Sequence, residues 1–103
     1  MSKRLSYKRL KDTFAKVGMQ VTSYGDYMLH NIDCIKIGIN NGQYVVLFAK
    51  NVGVYTILEK GVKIDFNTNI ENGLNVAIGG DVYHYLTNFE SFSKVKKYIL
   101  NNL

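Results

Sequence analysis

The dipeptide Asn41-Gly42, set between two apolar runs, constrains the fold of this chain more than any other feature. A type I′ turn needs positive φ at both central residues, which Asn and Gly tolerate and most residues do not. Before it lies Cys34-Ile35-Lys36-Ile37-Gly38-Ile39, with Ile35, Ile37 and Ile39 on one face of a strand. After it, Gln43 to Lys50 puts Tyr44, Val46 and Phe48 on one face and Val45, Leu47 and Ala49 on the other. A strand apolar on both faces belongs in the middle of a sheet. The pair predicts an antiparallel hairpin at the centre of the molecule.

Period-two patterning continues on both sides. Met19 to Tyr24 alternates weakly, and Gly25-Asp26 predicts a tight turn into Tyr27 to His30. Asn51 to Gly53 turns into Val54 to Glu59, and Lys60-Gly61 turns into Val62 to Asn67. In that last run Val62, Ile64 and Phe66 point in while Lys63 and Asp65 point out. Thr68 to Gly73 reads as a polar loop. Leu74, Val76 and Ile78 suggest a short strand that Gly79-Gly80 ends, and Val82 to Leu86 suggests a final one.

The two ends change period. Tyr7, Leu10, Phe14 and Val17 recur at helical spacing and predict a helix from Leu5 to Val17, with Ser2 or Ser6 as cap and Gly18 as stop. Thr87-Asn88-Phe89-Glu90 matches a capping box. It predicts a helix running to about Asn101, with Phe92, Val95, Ile99 and Leu103 along one face. A chain of 103 residues suits one domain. The expected fold is α+β: an N-terminal helix, an antiparallel β-meander of about five to seven strands and a C-terminal helix, forming a single small domain over residues 1–103.

Charge is divided by element. Residues 1–18 carry six Lys/Arg against Asp12, and residues 91–103 carry Lys94, Lys96 and Lys97 against no acid. The middle carries four lysines against seven acids, within a net charge of +5. Two basic helices side by side on one sheet face would merge into a positive patch, suited to phosphate backbones or an acidic protein surface. The plainer reading is that charged outer faces keep amphipathic helices in solution.

Catalytic patterns are sparse. The one suggestive trio is His30, Asp33 and Cys34, but Cys34 opens a strand and no neighbour in the pattern activates it. Structural zinc usually takes four Cys or His ligands, and the chain has only Cys34, His30 and His84, which Asp33 or Asp81 would have to complete. Gly79-Gly80 lacks the lysine and spacing of a phosphate-binding loop. No catalytic residue, metal or cofactor is therefore expected, and the chain reads as non-enzymatic.

The aromatic content points to binding. There are eight Tyr, five Phe and no Trp. Tyr24 and Tyr27 flank the turn expected at Gly25-Asp26. Tyr83 and Tyr85 alternate against Val82, His84 and Leu86, so an inward even-numbered set presents both tyrosines outward as contact anchors. The alternative packs both rings beneath a helix with their hydroxyls at the edge. The expected partner-binding residues are Arg4, Lys8, Arg9, Tyr83, Tyr85, Lys94 and Lys97.

One cysteine permits no internal disulfide, which favours a reducing cytoplasm. No signal-peptide apolar region or membrane-length apolar run is present. The absence of Pro and the abundance of Asn, Lys, Ile and Tyr suggest AT-rich coding. The expectation is a small interaction or inhibitor module of a phage or mobile element acting on a host or cognate protein. The alternative is a nucleic-acid-binding domain using the two-helix patch. Self-association is left open.

Overall fold

The computed structural model describes residues 5–61 and 75–103. Their order is α1 (Tyr7–Lys16), β1 (Val21–Leu29), β2 (Ile32–Ile39), β3 (Tyr44–Ala49), β4 (Val54–Lys60), β5 (Asn75–Ile78), β6 (Asp81–Phe89) and α2 (Phe92–Asn102). All pairings are antiparallel, in spatial order β1-β2-β3-β4-β6-β5. This is the expected helix–meander–helix architecture. The strand expected at Val62 to Asn67, the loop at Thr68 to Gly73, and Arg4 lie outside the described residues.

The β2–β3 turn forms where it is predicted. Asn41 and Gly42 take φ of 58° and 96°, and Gln43 N–H donates to the Asn40 carbonyl at 3.3 Å. Asn40 is also left-handed, at φ 51°, so the loop extends from Asn40 to Gln43, between the pair Ile39 and Tyr44. It is tied to β1 and the residue before it: Asn41 N–H donates to Thr22 Oγ1 at 2.9 Å, and Gln20 N–H to Asn40 Oδ1 at 3.0 Å. β3 lies at the middle of the sheet, with Tyr44 to Phe48 all buried.

Three local expectations are corrected. Gly25-Asp26 is not a turn; β1 runs through it, paired with Lys36 and Ile35. The chain turns instead at His30-Asn31, with φ of 47° and 67°, because Asn and His tolerate the left-handed region better than most non-glycine residues. Tyr24 and Tyr27 therefore sit within one strand. Finally, Thr87 is not a helix cap. It pairs with Ile57 in β6, and α2 starts after Ser91, whose backbone is extended in the manner of an N-cap.

Both helices cover the same sheet face. Leu10 and Phe14 from α1 and Val95 and Ile99 from α2 join Ile37, Ile39, Val46, Phe48, Tyr55 and Ile57 in one buried cluster. The stripes that set the helical period thus meet the isoleucine face of the hairpin. A second cluster lies on the opposite face: Cys34, Val45, Leu47, Leu58, Val76, Ile78 and Tyr83, with Tyr27, Leu29, Ala49 and Tyr85 against it.

Phe14 is fully buried where helix and sheet meet. Phe14→Ala is expected to cost about 3–5 kcal/mol of stability, measured by urea unfolding. A cost typical of an exposed site would show that α1 does not seal this face.

Candidate functional site

The exposed cations collect on the helix layer. Lys8, Arg9, Lys11 and Lys16 of α1 are exposed, as are Lys94 and Lys97 of α2, while Lys96 is half-buried. The first turns of the two helices meet, with the Arg9 guanidinium 4.3 Å from the centre of the Phe92 ring. Among the described residues the ion pairs are Lys50 with Asp26 and Asp33, and Lys60 with Asp81, so none neutralises a helix cation.

The placement of these cations opposes helix stability. Neither helix has an acid in its first turn, whereas α1 begins Tyr7-Lys8-Arg9 and α2 begins Phe92-Ser93-Lys94. A helix N-terminus already carries a partial positive charge, and each cation there is unfavourable by a few tenths to about 1 kcal/mol. An external anion would relieve that repulsion. An open hollow of about 270 Å³ lies beside this layer, lined by Phe89, Lys94, Lys97, Tyr98, Asn101 and Asn102.

The expected anchors Tyr83 and Tyr85 are placed differently. They lie on the sheet face away from the helices, in the second cluster. Tyr83 is only 4% exposed, and its hydroxyl donates to the Gly42 carbonyl at 2.8 Å, reaching past β4 to the β2–β3 turn. Tyr85 is half-buried. Tyr83 therefore ties β6 to that turn and is not an outward contact. The exposed aromatic pair is instead Tyr7 and Tyr24, edge to face with ring centres 4.6 Å apart. The sequence reading missed it because Tyr7 was counted in the apolar stripe of α1, although it is exposed, and Tyr24 was assigned beside a turn.

The cysteine trio is not assembled as a nucleophilic site. Cys34 is 3% exposed on the second face, and burial, then the Asp33 charge, push its thiol up while Lys50 opposes them. Such a thiol stays protonated and weakly nucleophilic at neutral pH. His30 lies in the exposed β1–β2 turn. Among the described residues no three His, Cys, Asp or Glu side chains gather as metal ligands. His84 Nδ1 lies 3.2 Å from Asn75 Oδ1, in the β5–β6 hairpin.

Comparison with family models, curated proteins and solved structures gives no match.

The titrating groups set a pH response. Burial raises the phenols of Tyr55, Tyr83 and Tyr85, with Arg9 opposing in the first, Asp81 adding and Lys60 opposing in the second, and Cys34 adding in the third. Each native group, like the Cys34 thiol, holds its proton more tightly than the unfolded chain does. Their contribution is complete below the ordinary values, 9.0 for Cys and 10.0 for Tyr, and is lost as pH rises through the raised ones. The melting temperature is expected to fall as pH rises above the ordinary Cys value. In Cys34→Ala the fall should begin later, in the tyrosine range. Identical profiles for the two proteins would show that Cys34 is not held in its neutral form by the fold.

Proposed function

We propose that the chain is a small non-catalytic binding protein that docks a nucleic-acid backbone against its helix layer. The observation that carries this reading is the meeting of two helix N-termini, each with cations and no acid in its first turn, under a layer whose lysines lack ion pairs among the described residues. Phosphate oxygens accept hydrogen bonds from Lys, Arg and helix N-termini, and neutralising them releases counterions. Lys8, Arg9, Lys94 and Lys97 are the contacts proposed for the described part of the face, with Arg4 as a further one. The buried Cys34 thiol suits a reducing compartment, and the cytoplasm is proposed on that ground. Among the described residues no helix is long and apolar enough to cross a membrane.

A second reading keeps the chain as an interaction or inhibitor module, of phage or mobile-element type, acting on a host protein. It is favoured by the large apolar side chains exposed at the β1–β2 edge of the sheet, Tyr24, Met28 and Ile32, with Val52 in the β3–β4 turn. Loss of Tyr83 as an anchor weakens this reading relative to the first. Affinity purification from the native host, with and without nuclease, separates the two, since a protein partner survives the nuclease.

Gel shifts on single- and double-stranded DNA and RNA test the first reading. Affinity is expected to fall steeply with salt, and Lys94→Ala and Lys97→Ala should each weaken binding to all sequences alike and lower the salt slope by about 1. Lys60→Ala, which removes a cation paired with Asp81 on the sheet, should leave binding unchanged. Absence of binding at low salt would remove the nucleic-acid reading.

A further inference from the structure

We propose that β1 pairs with β1 of a second copy, antiparallel about a two-fold axis at Gly25, so that two sheets join into one. β1 is an edge strand of nine residues and, among the described residues, pairs only with β2. Long edges are normally blocked by Lys, Pro, a covering element or brevity. β1 has no Lys, Arg or Pro. Its one charge, Asp26, is paired with Lys50 at 2.7 Å. Tyr24 is 53% exposed, Met28 60% and Ile32, across the β1–β2 turn, 51%.

Gly25 points to the axis. Nothing within one copy requires glycine there. Its φ is not positive, the β1 bulge lies at Val21/Ser23, and a Cβ built on it meets no atom within 4 Å. Glycine in the interior of a strand weakens it, and often marks a place where another backbone approaches closely.

Charge and size choose the register. Directly opposed residues of antiparallel strands share a sheet face, so the axis passes through a residue. Centred on Asp26, the pairing would set that carboxylate against its own copy, which is unfavourable. Centred on Gly25, it sets Asp26 against Tyr24 of the second copy. On the other face, Tyr27 then lies opposite Ser23 and diagonal to Gly25, two small residues that leave room for its ring. The bulge at Val21/Ser23 bounds the regular stretch to Ser23–Tyr27. Because the axis is perpendicular to the sheet, both helix layers lie on one side. Two chains of net charge +5 repel, so added salt strengthens this association while it weakens nucleic-acid binding.

Sedimentation equilibrium of the full chain tests the pairing independently of the nucleic-acid reading, because the variants keep every helix cation. The wild-type chain is expected at twice the chain mass in high salt. Gly25→Glu places like charges opposite each other on the axis and should halve the mass with the circular-dichroism spectrum unchanged. Gly25→Lys should do the same, and mixing the two variants should restore the dimer. A monomeric wild-type chain, a dimeric Gly25→Glu, or a mixture that stays monomeric overturns the proposal. Should the variants fail to fold, wild-type hydrogen exchange reads the same contact: protection of the outward β1 amides should rise with protein concentration, and protection independent of concentration overturns the pairing.

Discussion

The structure depends on one packing interaction, the closure of a single sheet face by helices from the two ends of the sequence. The isoleucine face of the central hairpin is covered only when Leu10 and Phe14 from one end meet Val95 and Ile99 from the other. Apolar burial at roughly 25 cal/mol per Å² is the dominant favourable contribution available to a domain this small. The meander is locally wired, since every strand of β1 to β4 pairs with its sequence neighbour. The helices supply the long-range contact that makes those local pairings one cooperative unit. That closure also decides where charge goes. Each helix has one buried face, so its cations collect on a shared outer layer.

How much of this was legible follows from how far local rules reach. The Asn41-Gly42 turn, the doubly apolar β3 and both helical stripes are properties of short windows, and they appear in the structure as read. The misplaced start of the second helix falls where the chain slips by a residue. β6 carries a bulge opposite Ile57/Leu58, so Tyr83 and Tyr85 face the second cluster while Leu86 and Phe89 pack toward the helices. A sequence window sees alternation stop at Leu86 and, finding Thr87 and Glu90 at capping-box spacing, starts a helix. The pairing of Thr87 with Ile57, thirty residues away in sequence, outweighs that local signal.

The tyrosines were misjudged for a different reason. Alternation correctly separated Tyr83 and Tyr85 from Val82, His84 and Leu86, but it could not show that the face away from the helices also forms a core. Tyr83 is buried there because its hydroxyl finds the Gly42 carbonyl, and a buried phenol needs such a partner. The bond sits at the turn that organises the sheet. Gly42 is held there in the left-handed region, where a residue with a Cβ is strained, and the Tyr83 hydroxyl would lie 3.1 Å from that Cβ. The glycine that makes the turn possible also makes room for the tyrosine that anchors it.

Charge was the most legible part of the candidate site, and its arrangement the least. Counting showed that cations gather at both ends of the chain, but not that the first turns of the two helices would meet. Arg9 against Phe92 makes that meeting favourable on the apolar side, since the guanidinium rests on the face of the ring. Among the described residues no other helix cation has an ion pair or a ring contact of this kind. Lys8 and Lys94 stand at the positive ends of their helices, where a carboxylate would stabilise and an ammonium does not. By contrast, the sheet lysines Lys50 and Lys60 are paired with acids. Among the described residues the ion pairs thus lie away from the helix layer, which is the contrast on which the proposed docking of phosphates rests. In the proposed pairing the β1 edge, whose one charge Asp26 falls opposite Tyr24, brings two such layers together without opposing like charges strand to strand.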